Sequence, residues 1–198
     1  MRFKLALTAL LALAIVTPVQ AAGLSGMGAA IYGNSFNFKK ANLEKAPVGK
    51  ITAGKITIGL QTTKMKDLQK AFGGTLQSNG EATWLCYHAD DTNTWFISNA
   101  FGGQEFVMMV AVEANKKTPG DCEAGNAKFK PPVFDVPGIG AKLAELKAHF
   151  GAASGSKVAY RADRPGGYSD IAQYLGYVLS GGTVTGIGVG ETSIPTAH

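Results

Sequence analysis

Apolar positions along this chain recur with two different periods, and the changes between them divide it into segments. Residues 5–16 form an apolar stretch behind Arg2 and Lys4, and Val19, Gln20 and Ala21 follow with the small-residue pattern of a cleavage site. At about 12 residues the run falls short of the roughly 20 that span a bilayer, so residues 1–21 read as a signal peptide. Residues 22–50 are rich in Gly, Ala and Lys, with Tyr32, Phe36 and Phe38 as anchors, and are expected to form a loosely structured arm. From Ile51 the pattern tightens. Ile56, Thr57, Ile58 and Gly59 lead to a cap at Thr62 and Thr63. A helix is predicted over 64–72, with Met65, Leu68 and Phe72 on one face and Gly73 and Gly74 as its stop. Extended runs follow at 83–88, 94–99 and 106–112. In the last of these Phe106, Met108, Val110 and Val112 share one face and Val107, Met109 and Ala111 the other, the pattern of a central strand.

Residues 115–133 break the pattern and read as a linker. A second unit then repeats the first. Leu143, Leu146 and Phe150 in a helix over 142–150 are spaced as Met65, Leu68 and Phe72 are, with Glu145 matching Asp67 and Gly151 matching Gly73. Strands are expected at 157–161, 173–179 and 183–191, with Gly181 and Gly182 standing where Gly102 and Gly103 stand in the first unit. The expected fold class is α+β: a tandem repeat of a short helix plus antiparallel strands, at 51–114 and 134–194, followed by a tail at 195–198. Units of about 60 residues bury little core alone, so a shared core or one continuous concave sheet is expected.

The stretch Ile56, Thr57, Ile58, Gly59, Leu60, Gln61, Thr62, Thr63, followed by Asp67, Leu68, Phe72, Gly73 and the later Trp84, Cys86 and Tyr87, resembles the opening of the units in the beta-lactamase inhibitor protein family. It is also similar to the small outer-membrane assembly lipoproteins that share that fold. The resemblance implies a duplicated helix-plus-sheet unit with a concave sheet and a role in binding or inhibiting another protein. Leu60 stands where the family has Met, the second unit has Gly138, Ile139 and Gly140 without the Thr, and the lipid-bearing Cys of the lipoproteins is missing. No inhibitory loop aligns, so no contact residue is carried over.

Composition narrows the function classes. Of 198 residues, 45% are hydrophobic and only 17% charged, which suits a globular chain with a core. Without Arg2 and Lys4, 17 basic residues face 14 acidic ones, a formal charge of +3. The excess is nearly all Lys, with Arg161 and Arg164 the remaining arginines, whereas forked recognition of bases and phosphates favours Arg. Nucleic acid is therefore not the expected partner. Lys39, Lys40, Lys45, Lys50 and Lys55 form a diffuse basic segment that leaves peripheral contact with an acidic or anionic-lipid surface open. No later segment is long and apolar enough to span a bilayer, so no integral membrane segment is expected, and the mature chain is placed in the periplasm or the medium. Cys86 and Cys122 are expected to form one disulfide there, tying a linker to the edge of a sheet.

Candidate catalytic chemistry is sparse. His88, His149 and His198 offer no close pair and no metal-ligand spacing, and neither a nucleophile elbow nor a complete phosphate loop occurs. His88 with Asp90 and Asp91 is the one small polar cluster at a strand end, read as a solvated turn. The expectation is a protein that is not an enzyme and carries no cofactor or metal. Aromatic residues are more plentiful than a small core needs: Trp84, Trp95, Phe101, Tyr160, Tyr168, Tyr174 and Tyr177. Of these Trp84, Trp95, Tyr160 and Tyr174 are the candidate anchors of a protein-binding sheet surface. The alternative is an envelope structural or assembly-support role through the basic arm, and salt separates the two, because only the second weakens with screening.

Overall fold

A computed structural model describes residues 23–33 and 35–196, so the signal-peptide reading lies outside the described residues. The fold is mixed α+β with mostly antiparallel sheets. In chain order the elements are α1 (Gly26–Tyr32), β1 (Ile51–Ala53), β2 (Ile56–Ile58), α2 (Met65–Phe72), β3 (Gln77–Ser78), β4 (Ala82–Ala89) and β5 (Thr92–Asn99). They continue with β6 (Met109–Ala114), β7 (Glu123–Ala124), β8 (Val133–Phe134), α3 (Leu143–Phe150), β9 (Lys157–Arg164), β10 (Asp170–Ser180) and β11 (Thr183–Ile194). A large sheet runs in the order β3, β4, β5, β6, β11, β10, β9, with β7 added parallel to β4, and β2, β1 and β8 form a small second sheet.

Each predicted helix forms within a residue of its expected bounds, because its apolar face has somewhere to go. Met65, Leu68 and Phe72 of α2 and Leu146 of α3 are buried against one face of the large sheet, on Leu85, Tyr87, Phe96, Val110, Leu175, Tyr177 and Val189. Neither threonine caps α2. Lys64 is its N-cap, and the Thr63 hydroxyl instead accepts from Gly59 N at 2.9 Å, closing the turn before the helix. At α3 the Glu145 carboxylate reaches back to accept from Lys142 N at 2.7 Å.

The strand order places α2 before the meander β4, β5, β6 and α3 before the meander β9, β10, β11, and the two meanders meet along β6 and β11. Corresponding contacts recur in the two halves. The Tyr87 hydroxyl donates to Gly73 O at 2.7 Å and the Tyr160 hydroxyl to Ala152 O at 2.6 Å, each just beyond a helix end. Tyr87 packs beside Phe72 and Phe96, and Tyr160 beside Phe150 and Tyr177. Met65 N donates to Glu105 O and Val107 N to Thr63 O; Leu143 N donates to Gly182 O and Val184 N to Ala141 O.

The expected alternation along 106–112 holds only from Met109 onward. Val107 lies on the α2 side while Met108 and Met109 both lie on the opposite side. The slip has a cause: Phe106 bridges to Lys64 and Val107 exchanges backbone bonds with Gln61 and Thr63, which turns 106–107 toward the start of α2, whereas Met108 is already bonded to Ile97 and Glu191 in the sheet.

The arm is not loosely structured, and this corrects the reading of residues 22–50. Helix α1 lies across β5, β6 and β11 on the face opposite α2 and α3, with Met27 and Ile31 buried. Beyond it Phe36 covers Gly176 and Phe38 packs on Tyr174 at 4.9 Å. The chain then turns around the outer edge of β9, where Asn42 N and Leu43 N donate to Arg161 O and the Asn42 side chain accepts from Arg161 N at 2.8 Å. Val48 N finally donates to the Gln173 side chain at 2.8 Å on the far face, where β1 begins. The arm is thus a strap that passes from one face of the sheet to the other and caps an edge strand on the way.

Burial of the tyrosines sets a pH dependence. It raises the Tyr87 and Tyr177 hydroxyls well above the usual phenol range and pushes Tyr160 up to about 12. An unfolded tyrosine ionises near 10, so above that pH the unfolded chain loses protons that the fold retains, and stability falls as pH rises. Denaturant midpoints should be flat with respect to these groups below pH ~10 and fall from there toward pH 12. Tyr87→Phe and Tyr160→Phe should each reduce that fall relative to the unaltered protein; an unchanged slope would show that the tyrosines do not cause it.

Candidate interaction surface

Trp95 and Trp84, on adjacent strands β5 and β4, face the strap. Both are fully buried, and Tyr174 on β10 is covered on the same side by Phe38. Tyr160 lies on the opposite face under Phe150, whose ring stacks on it at 4.1 Å. The four residues expected to form an exposed aromatic sheet surface therefore do not share one and are not exposed. The reason is that both faces of the large sheet are occupied: α2, α3 and the small sheet cover one, and the chain's own N-terminal segment covers the other.

How that segment is seated can be read residue by residue. The sheet beneath α1 is floored with glycine. Along β11, Gly186, Gly188 and Gly190 alternate with Ile187 and Val189, putting three side-chain-free positions on one face. Strand interiors disfavour glycine unless another group must come close. Here Met27 and Ile31 do so: a Cβ on Gly188 would stand 3.0 Å from the Ile31 side chain and one on Gly186 3.1 Å from Met27 Sδ. The fit is matched from the other side, where a Cβ on Gly28 would meet Trp95 Cγ at 2.6 Å.

Polar anchors fix the start of α1. The Asp121 carboxylate is wholly buried and accepts from Trp95 Nε1 at 2.9 Å and from the Ser25 hydroxyl and backbone N–H. Glu113 accepts from Met27 N at 3.0 Å. Asp121 is held in place by its neighbour, since Cys122 forms the expected disulfide with Cys86 of β4, and β7 continues from it along the β4 edge. The linker is therefore the element that carries the anchor. Asp121, Cys86 and Cys122 cluster closely enough to suggest metal ligands, but both sulfurs are joined to one another, so no thiolate is present to bind a metal.

The remaining polar clusters close on themselves. His88 Nδ1 lies 2.7 Å from the Asn93 side chain, which in turn donates to Lys117 O; neither Asp90 nor Asp91 is its partner. Those two aspartates form the β4–β5 turn with positive φ. Buried Glu191 accepts from the Gln61 and Gln173 amides at 3.0 and 3.1 Å and from Arg164. His149 is exposed at the end of α3.

Two of the seven aromatics singled out from the sequence do face solvent. Phe101 is 75% exposed and Tyr168 fully exposed. Phe101 sits in the short turn Ala100–Gly102 between β5 and β6, and Tyr168 in the loop between β9 and β10 after Gly166 and Gly167. The register puts both loops at one end of the large sheet, one joining β5 to β6 and the other joining β9 to β10. No family model matches the chain, and no curated protein or solved structure matches it either.

Asp121→Ala should leave Trp95 Nε1 and Ser25 without acceptors in a dry site, at a cost of about 2–4 kcal/mol. The expected result is faster hydrogen exchange in residues 26–32 and a shifted Trp95 emission, with β9–β11 amides still protected. Gly28→Val, which removes no hydrogen bond, should loosen the same helix through the clash with Trp95. Uniformly faster exchange in both variants would instead make the strap part of a single cooperative unit.

Proposed function

We infer that this is an exported, non-enzymatic protein that binds or inhibits another protein, and that the contact lies at the sheet end carrying Phe101 and Tyr168 rather than on a sheet face. One observation carries the reading: these two large aromatics stand exposed on glycine-containing loops at the same end of a sheet whose two faces are already filled. Exposed aromatics that share a surface are the usual anchors of an interface. The buried disulfide and the signal-like residues 1–21 support export. The self-satisfied clusters around His88 and Glu191 support a role without catalysis.

The same reading takes the chain as two divergent copies of one unit, α2 with β4–β6 and α3 with β9–β11. Its support is the meeting of the two meanders at β6 and β11 and the matched set Phe72, Tyr87, Phe96 against Phe150, Tyr160, Tyr177. The resemblance to the beta-lactamase inhibitor protein family belongs to this proposal, as an architecture and a class of role. A second reading, peripheral attachment through the arm, is favoured by one fact: Lys39, Lys40, Lys45, Lys50 and Lys55 are all exposed and none forms an ion pair among the described residues.

The test is retention of a partner from an envelope extract by the oxidised mature protein at low and at high salt, with Phe101→Ala/Tyr168→Ala as the comparison. Both positions are solvent-exposed, so the double variant should keep its thermal midpoint. A protein retained at high salt and lost with the double variant, then shown to bind directly, is the expected outcome. Capture that disappears with salt and ignores the double variant would overturn the loop-end reading in favour of the basic arm.

A further inference from the structure

The hairpin of β1 and β2, the last turn of α2 and the turn at 126–130 enclose a cleft of about 610 Å³ that the strap does not reach. Its body is apolar, with Ile56 from the hairpin and Ala71 and Phe72 from α2. Its rim is cationic, with Lys55, Lys128 and Lys130 around the opening. No Asp or Glu lines it, and among the described residues none of the three lysines forms an ion pair. Three exposed lysines with no acidic residue beside them in the lining make a local excess of positive charge. Partly enclosed by low-dielectric walls, it concentrates anions.

The cleft is built rather than incidental. The Asn126 amide donates to Ala71 O at 3.2 Å and its carbonyl accepts from Lys128 N at 2.9 Å, so one side chain ties the 126–130 turn to the end of α2. Behind it Phe129 packs against Phe72 at 5.3 Å and Tyr87 at 4.7 Å, which makes the back wall part of the core. The hairpin is seated just as closely, since a Cβ on Gly54 would lie 2.7 Å from Lys128 O. Three elements distant in sequence are thus fixed around an apolar space within the volume range of small-molecule sites.

We propose that this cleft binds a single-chain anionic amphiphile, its acyl chain lying against Ile56, Ala71 and Phe72 and its head group held by Lys55, Lys128 and Lys130. The chemistry on both sides is complementary: an apolar chain replaces water over the floor, and a carboxylate or a phosphate at its end meets three mobile ammonium donors at the mouth. Point-charge lysines on flexible stems suit either head group, so free fatty acids and lysophospholipids are the two sources. This site is separate from the loop end carrying Phe101 and Tyr168 and does not depend on it.

The experiment is calorimetric titration of the mature, oxidised protein with decanoate, undecanoate, dodecanoate and a lauroyl lysophosphatidylglycerol, each below its micelle concentration, with dodecyltrimethylammonium as the cationic control. Saturable one-to-one binding of an anion is expected, tightening about fourfold per added methylene, with no binding of the cation. The tighter of the two anionic classes names the head group. Lys55→Gln/Lys128→Gln/Lys130→Gln lies wholly on the surface and should keep the thermal midpoint while weakening binding tenfold or more; Ala71→Met should weaken it by filling the floor. Absence of saturable binding, equal binding of the cation, or unaltered affinity in the triple lysine variant would each overturn the proposal. Partition into anionic vesicles without binding of the monomeric amphiphile would overturn it too, assigning the lysines to a membrane surface instead.

Discussion

The buried carboxylate of Asp121 is the one group on which three parts of the chain converge. It accepts from Trp95 in the middle of the sheet and from Ser25 at the start of α1, and it is itself set in place through Cys122 by the disulfide to β4. A carboxylate without a cation partner is costly to bury, and only a full set of donors makes it tolerable. The cost is what makes the contact specific: with the strap elsewhere the buried carboxylate would lose both Ser25 donors and keep only Trp95 Nε1. Once Ser25 is fixed, Gly28 lies over Trp95 and Met27 and Ile31 lie over the glycines of β11. The rest of the strap follows to the edge of β9. Closing the loop between Cys86 and Cys122 restrains the unfolded chain by roughly 4 kcal/mol in the chain-entropy account, and that restraint falls on the segment that bears Asp121.

A sheet covered on both faces needs its central strands to be apolar on both sides, and β5 and β6 meet that demand. Phe96, Val110 and Val112 point to the helices while Trp95, Ile97, Met109 and Ala111 point to the strap. β11 meets it differently. Its helix side carries Ile187 and Val189, but its strap side carries glycine, because an α-helix lying on a sheet requires either a short side chain below or a greater separation. The two halves of the large sheet each set a helix phenylalanine on a strand tyrosine on the helix side, Phe72 edge-on to Tyr87 and Phe150 stacked on Tyr160. They are unlike on the strap side, where one half offers tryptophans and the other a glycine floor. One helix, seated on β5, β6 and β11, accounts for that difference.

This asymmetry explains what could be read in the chain and what could not. The helices over 65–72 and 143–150 and the six long strands were legible, since each is a local period set by a face that must be buried. The strap was not. Residues 26–32, Gly-Met-Gly-Ala-Ala-Ile-Tyr, carry few bulky side chains, and their helix is chosen by the groove that receives it rather than by propensity. A signal for that groove did exist in Gly186, Gly188 and Gly190 at every second position, which reads as a weak strand until a close-packed partner is supplied. The aromatic residues misled for a related reason. Trp84, Trp95 and Tyr174 looked surplus to a core counted from the helices alone, but the strap adds a second core on the other side of the sheet and uses them there. Asp121 lay in a stretch with no periodicity, and tertiary placement alone reveals it as an anchor.

With both faces and the β9 edge consumed by intramolecular packing, the surface left for function is what projects from the sheet's end and what opens beside the small sheet. The first is aromatic and lies on loops; the second is an apolar cleft ringed by lysine. Their separation matters, because a ligand in the cleft rests on Phe72 and, through Phe129, on Tyr87, the residue that closes the end of α2 by donating to Gly73 O. The turn that carries Phe101 is closed by the Asn99 side chain accepting from Gly102 N, and just beyond it Glu105 O accepts from Met65 N at the start of α2. Phe72, Tyr87, Phe96, Met65 and Val107 belong to one packed core that runs from the cleft toward that loop. The two surfaces therefore lie at the two ends of one helix, the cleft against its last turn and the Phe101 loop against its first, and α2 is the element that both must rest on.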